Sequence, residues 1–218
     1  MAVVSHELSL RPLLSRRTAL PFSTELREWV DDTISSFPEG AFARLGLCSF
    51  EQPNGSPSKL LGSEDVLAQL MRPGPRAASM AMQRRYADAP VWLFLREWRT
   101  IAPWSELRLF FRRGQFAGAS QLHTSRCFPE IYTRADAIQA LLRAAVVTLR
   151  SRLHLPSVVV DIALADRESG LSWELVELNP FFPVASPGLF SWTPVPDFDG
   201  TFRWMDDRGR LRGVALGP

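Results

Sequence analysis

Between Arg134 and Leu153, apolar residues recur at three- and four-residue steps, at Ile138, Leu141, Leu142, Ala145, Val146, Leu149 and Leu153. That period predicts a helix laying one face on a sheet. A shorter stripe of Leu26, Trp29, Val30 and Ile34 starts after Ser23 and stops at Pro38-Glu39-Gly40, predicting a helix over Ser23 to Phe37. Ser63-Glu64-Asp65 opens another, carrying Val66, Leu67 and Leu70 and closed by the break at Arg72-Pro73-Gly74-Pro75. Shorter apolar runs predict strands at Ala41 to Leu47, Val91 to Leu95, Leu107 to Phe111, Gln115 to Ser120, Val158 to Leu164 and Leu171 to Asn179. With a turn at Arg112-Arg113-Gly114, residues 91–120 read as an antiparallel meander, and the polar turn Asp166 to Gly170 closes a second hairpin. A terminal hairpin is expected around Asp207-Arg208-Gly209, and Gln52 to Pro57, dense in turn formers, reads as a surface loop. Strands on both sides of a long helix give an α+β chain. Its character changes at residue 91, which separates an N-terminal part, 1–90, from a core, 91–218.

Composition narrows the function classes. At 218 residues with 46% hydrophobic and 22% charged positions, including 14 Phe and 7 Trp, the chain can bury a sizeable core and is no disordered tail. A formal net charge of +2 gives no basic face, so nucleic acid is not the expected partner. Lys59 is the single lysine. Cys48 and Cys127 lack metal or redox spacing and read as buried free thiols in a reducing cytosol, so a cytoplasmic protein is expected. Met1 to Leu20 carries no export-signal pattern, and no apolar run approaches eighteen residues, so neither export nor a membrane partner is expected.

Asp161 interrupts an apolar, β-branched run, and a charge in a strand core needs a partner or a cation. Glu177 and Asn179, two apart, share one face of the partner strand near its end. Three oxygen donors in that arrangement suit Mg²⁺, and the lack of His and Cys argues against zinc or copper. The bland alternative is a lone charge at a sheet edge beside a strand terminus. Glu106 and Arg108 are also two apart, with Arg96-Glu97 ending the preceding strand. An arginine facing a cleft can neutralise phosphate oxygens bidentately, whereas the competing reading is a cross-strand ion pair on the solvent face. His6, His123 and His154 are scattered and give no local support to a hydrolase. The tryptophans read as core and lobe-interface fillers, and no GxGxxG or Walker A loop is present.

Several of these pieces occur in a characteristic order: Leu93-Phe94-Leu95-Arg96-Glu97-Trp98, Ser105 to Phe111, Ala119-Ser120-Gln121, Val159-Val160-Asp161, Glu177-Leu178-Asn179-Pro180 and Leu189-Phe190-Ser191-Trp192. In this order and spacing the chain resembles the cell division cycle protein 123 family over about two-thirds of its length. The resemblance implies an ATP-grasp fold, with two α+β lobes built on antiparallel sheets enclosing a nucleotide cleft. It implies ATP and Mg²⁺ as ligands, with Asp161, Glu177 and Asn179 as metal ligands. Arg96, Glu97 and Trp98 would lie on the adenine-side hinge, Arg108 would face the phosphates, and Arg44 would stand where the family has its phosphate-binding lysine. Glu177 in place of an aspartate is a mild departure; Leu45 to Pro53, which lacks the basic residue and Asp that follow the family's lysine, departs more.

The family role the resemblance implies is an ATP-dependent assembly chaperone for the gamma subunit of translation initiation factor 2, so this chain reads as a nucleotide-controlled binding module with a protein partner. A carboxylate-amine ligase would need the same metal-phosphate site, but no acceptor-substrate motif is visible. The altered first strand and single lysine leave a degenerate scaffold without nucleotide as the other alternative.

Overall fold

A computed structural model describes residues 3–8, 23–46, 48–49, 58–72, 74–168 and 170–216, with Val3–Leu8 as backbone alone. The expected loop over Gln52 to Pro57 lies outside the described residues. Two compact units divide the chain, Met1–Thr100 and Ile101–Pro218.

In the first unit, four strands form an antiparallel sheet. These are β1 (Val3–Leu8), β2 (Ala41–Leu45), β3 (Cys48–Ser49) and β4 (Val91–Glu97), in the order β1-β4-β2-β3. Ala41, Ala43, Leu45, Val91, Leu93 and Leu95 alternate onto one face and join the core made with helices α1 (Thr24–Ser35), α2 (Ser63–Met71) and α3 (Pro75–Tyr86). Helix α1 starts where expected because the Ser23 hydroxyl accepts the Leu26 N–H at 3.2 Å. Helix α2 is capped from outside: the Asp31 carboxylate of α1 accepts the Ser63 N–H at 2.7 Å and the Ser63 hydroxyl at 2.8 Å. The sequence pattern missed α3, whose buried positions are the alanines Ala77 and Ala81, too small to draw an apolar stripe.

The meander expected over residues 91–120 is corrected. Strand β4 pairs with β1 and β2, and Leu93 opposes Leu45 while Leu95 opposes Ala43. The division between the units accordingly follows Thr100, whereas the sequence pattern had placed it at residue 91. Apolar alternation fixes that Val91–Glu97 is a strand, but not which strands flank it. The expectation of two buried thiols also changes: Cys48 is half-buried, Cys127 is exposed, and both are free.

The second unit holds a six-stranded sheet of β5 (Glu106–Arg112), β6 (Gln115–Gln121), β7 (Val158–Arg167), β8 (Gly170–Pro180), β9 (Thr201–Met205) and β10 (Leu211–Ala215). The order is β10-β9-β6-β5-β7-β8, antiparallel except where β6 meets β9. The β5–β6 turn uses positive φ at Arg113 (52°) and Gly114 (73°), the geometry a two-residue hairpin needs. The short helix α4 (Pro129–Tyr132) leads into α5 (Ala135–Arg152), the long helix expected from the periodicity. Ile138, Leu142, Ala145 and Leu149 of α5 are buried, and the helix packs on the face carrying Leu107, Leu109, Val158, Val160, Ile162 and Leu164.

On the opposite face, residues 181–200 form a strap. Phe190 lies 5.4 Å and Phe198 4.7 Å from the Phe110 ring, and Trp192 lies 4.9 Å from Phe181. The approach is close enough that a Cβ on Gly118 would come within 2.5 Å of Phe190. Arg203 of β9 ties the strap down, reaching Asp197 at 2.8 Å and Asp199 at 2.9 Å while its guanidinium covers Phe190 at 4.0 Å.

The terminal hairpin expected around Asp207-Arg208-Gly209 is β9–β10. Its turn is organised by Asp206, whose Oδ1 accepts the backbone N–H groups of Arg208 and Arg210 and whose Oδ2 accepts from Arg212 at 2.8 Å and Arg210 at 3.3 Å. The Arg210 N–H, followed by that of Arg208 and the Arg212 side chain, holds the carboxyl down to about 2. An unfolded aspartate titrates near ~3.9. A lowered folded value stabilises the hairpin above that pH and loses the contribution as pH falls toward 2. Asp206→Asn therefore melts below wild type at pH 7 and converges with it near pH 2 in thermal scans; a gap persisting at pH 2 contradicts this.

Candidate functional site

The strap-side face of the second sheet is apolar at one end and ionic at the other. Alternation places Glu106, Arg108 and Phe110 of β5 on this face, with Val159 and Asp161 of β7. Asp161 and Arg108 are direct cross-strand partners and are 2% and 7% exposed. Arg108 donates from Nε to Oδ1 and from Nη2 to Oδ2 of Asp161, both at 2.7 Å, and from Nη1 to the Ser186 carbonyl at 2.9 Å. Of the two readings of Arg108, the cross-strand ion pair is what the described residues form, but it is buried and not on a solvent face.

Glu177 of β8 stands opposite Asp161, and Asn179 completes the group. Asn179 Nδ2 donates to Asp161 Oδ2 at 3.0 Å and to Glu177 Oε1 at 2.8 Å, so the three residues expected to converge do so. A bulge aids this: Asp161 opposes Glu177 while Ile162 opposes Leu175, leaving Val176 as the extra residue of β8. Glu106 lies 3.2 Å from His123 Nε2.

Burial pushes the Asp161 carboxyl up to about 6 against the pull of Arg108, and the neighbouring Glu177 adds to the rise. Ionising Asp161 thus weighs against the fold as pH rises from about 4 to about 6. Glu106 is also raised, first by burial and then by Glu177, with His123 and Arg108 opposing. Burial works against the charge of Arg108, yet Asp161, backed by Glu177 and Glu106, holds its pKa above the usual value. Three carboxylates therefore surround one guanidinium, an excess of negative charge in a partly buried site.

The donor set fits Mg²⁺. Two carboxylates and an amide carry hard oxygens, and the two carboxylates repel one another; here the Asn179 Nδ2 donates to both, and its oxygen would face them once the amide is turned. Among the described residues no group of three or more His, Cys, Asp or Glu could hold a metal, so a metal at this site would rest on two carboxylates and the Asn179 amide.

The remaining expected nucleotide residues lie in the first unit. Arg44 on β2 and Arg96 on β4 share the sheet face away from the helical core, since Arg44 opposes Phe94 and Phe42 opposes Arg96. Alternation assigns Glu97 to the other side, where its carboxylate is 3.9 Å from Arg99. The Trp98 N–H donates to the Gly40 carbonyl at 2.8 Å.

Three residues beside this site were given no role by the sequence reading. His123 was one of three scattered histidines, and only the pairing that sets Gln121 beside Leu107 brings it to Glu106. Ser120 accepts the Leu189 N–H at 2.9 Å, and a Cβ on Gly188 would lie 2.6 Å from its hydroxyl. Gln121 donates to the His123 and Arg126 carbonyls and accepts the Met205 N–H at 2.9 Å, joining β6 to β9. Two motif positions quoted for their order are thus fasteners of the strap and sheet.

Fold and site together define an α+β protein with a carboxylate-amide-arginine cluster on one sheet face. The sequence profile described as D123 matches residues 59–208, and the chain belongs to that family. Over 110 residues it is 33% identical to cell division cycle protein 123 of Eremothecium gossypii, a match covering 48% of this chain and 29% of that relative's length. The structure of Cdc123 from Schizosaccharomyces pombe superposes with a TM-score of 0.65 at 16% identity, covering 87% of this chain and 82% of the other. A C-terminally truncated form of that protein gives the same values. The fold class read from the sequence, α+β, stands, and the overall fold is the one seen in the Cdc123 structure. Among the described residues no helix is long and apolar enough to cross a membrane.

Proposed function

We propose that this chain binds ATP with Mg²⁺ and uses the bound nucleotide to control its grip on a protein partner, as an assembly-chaperone module of the D123 type. The observation carrying the reading is the convergence of Asp161, Glu177 and Asn179 beside a single buried arginine. Asp161, Glu177 and Asn179 would hold the metal, which would supply positive charge against the phosphates when bound. Arg108 supplies a planar cation at the same face, and the strap carbonyl of Ser186 fixes its orientation. Arg44, Arg96, Glu97 and Trp98 are the residues of the first unit that the family resemblance assigns to the nucleotide. A scaffold that had abandoned nucleotide would have little reason to keep three carboxylates against one arginine. The exposed free thiol of Cys127 favours a reducing compartment, the cytoplasm. The modest net charge favours neither nucleic acid nor membrane as partner.

Glu177→Gln tests the site while keeping its shape. Equilibrium dialysis with ATP and Mg²⁺ is expected to show at least a tenfold (~1.4 kcal/mol) loss of affinity. Unchanged affinity contradicts the assignment.

A further inference from the structure

Both oxygens of Asp161 already have donors: Oδ1 accepts from Arg108 Nε, and Oδ2 accepts from Arg108 Nη2 and Asn179 Nδ2. We propose that Arg108 is the built-in counter-cation of this site, competing with a divalent metal for the Asp161 carboxylate and so excluding bare metal. The proposal rests on the metal reading of Asp161, Glu177 and Asn179 given above.

A metal ion binds through lone pairs at about 2.1 Å, closer than any hydrogen-bond donor approaches. A dication at Asp161 Oδ2 must therefore turn the Asn179 amide so that its oxygen faces inward, and it must share Oδ2 with Arg108 Nη2 or push the guanidinium off. It must do so beside a guanidinium charge in a buried setting, where like charges repel strongly. A guanidinium pushed off Asp161 would remain anchored at Ser186 but lose its bidentate carboxylate partner, with Glu177 and Glu106 as the other carboxylates whose charge acts on it. Metal arriving with a polyphosphate brings that partner with it, because phosphate oxygens accept the bidentate donors that Asp161 gives up. The site thus takes metal together with nucleotide and rejects metal alone. Arg108 is the residue that makes the distinction.

The test measures Mn²⁺ uptake by the full chain, read from the loss of the free-ion paramagnetic resonance signal, for wild type and Arg108→Gln, each with and without ATP. Wild type is expected to take up Mn²⁺ with ATP and only weakly without it. Arg108→Gln, with its carboxylates uncompensated, is expected to bind bare Mn²⁺ at least tenfold tighter than wild type and to gain thermal stability from it. If wild type takes up Mn²⁺ with ATP but Arg108→Gln binds the bare ion no tighter than wild type, the competition is overturned and the metal site stands. If neither wild type with ATP nor Arg108→Gln alone takes up Mn²⁺, the metal reading falls and the competition with it. Should Arg108→Gln not fold, Arg108→Lys serves instead: its single ammonium cannot hold both Asp161 oxygens, so bare Mn²⁺ must bind more tightly than to wild type, and no gain overturns the proposal.

Discussion

Arg108→Met is expected to lower the stability of the chain by about 3–5 kcal/mol, the cost of leaving one member of a buried ion pair uncompensated. Asp161 keeps its burial in this variant, loses two of its three donors and still faces Glu177. Combining Arg108→Met with Asp161→Asn removes both charges and is expected to recover most of the loss, because a buried pair contributes little net stability against a neutral replacement. Urea denaturation of the wild type, both single variants and the double variant closes the cycle. A single-variant loss within about 0.5 kcal/mol of wild type, as for a surface substitution, contradicts a buried pair.

Phe110→Ala is the second large effect, at about 3–5 kcal/mol. The Phe110 side chain is fully buried and meets the rings of Phe181, Phe190, Trp192 and Phe198, so it is the part of the sheet on which the strap rests. Removing it leaves the strap held by polar contacts, those of Arg203, of Ser120 with Leu189, of Arg108 with Ser186 and of Gly200 with Ala117 among them. Urea melting measures the stability loss, and limited proteolysis is expected to cut within residues 181–200 sooner than in wild type. Cleavage at the wild-type rate with unchanged stability contradicts this packing. Because Ser186 orients Arg108, loosening the strap also loosens the ionic site.

Much of the second unit was legible in the sequence because its two periods are clean. The α5 stripe and the β7 run carry enough apolar residues to declare their elements, and one aspartate in a run of Val and Ile is conspicuous. The two-residue step from Glu177 to Asn179 placed both on the right face because it lies beyond the Val176 bulge. Across the bulge plain alternation fails: Glu174, three residues before Glu177, opposes Ala163 and so shares its face with Glu177. The partner of Asp161 was hidden because Arg108 lies 53 residues away and meets it only through the register of β5 against β7. Register is a property of paired strands, which no single strand's pattern contains. Strand β4 was given the wrong neighbours for that reason, and α3 was missed for a different one, its core contacts being alanines.

Whether the site holds ATP and Mg²⁺ is tested most directly by thermal-shift titration of wild type and Asp161→Asn with ATP, ADP and GTP, each with and without Mg²⁺. A ligand that binds only the folded chain raises its melting temperature by mass action. The expected result is a rise for wild type with ATP that requires Mg²⁺ and is absent in Asp161→Asn. No rise in wild type up to millimolar ATP with Mg²⁺, or a rise that survives in Asp161→Asn, would contradict nucleotide binding at this site.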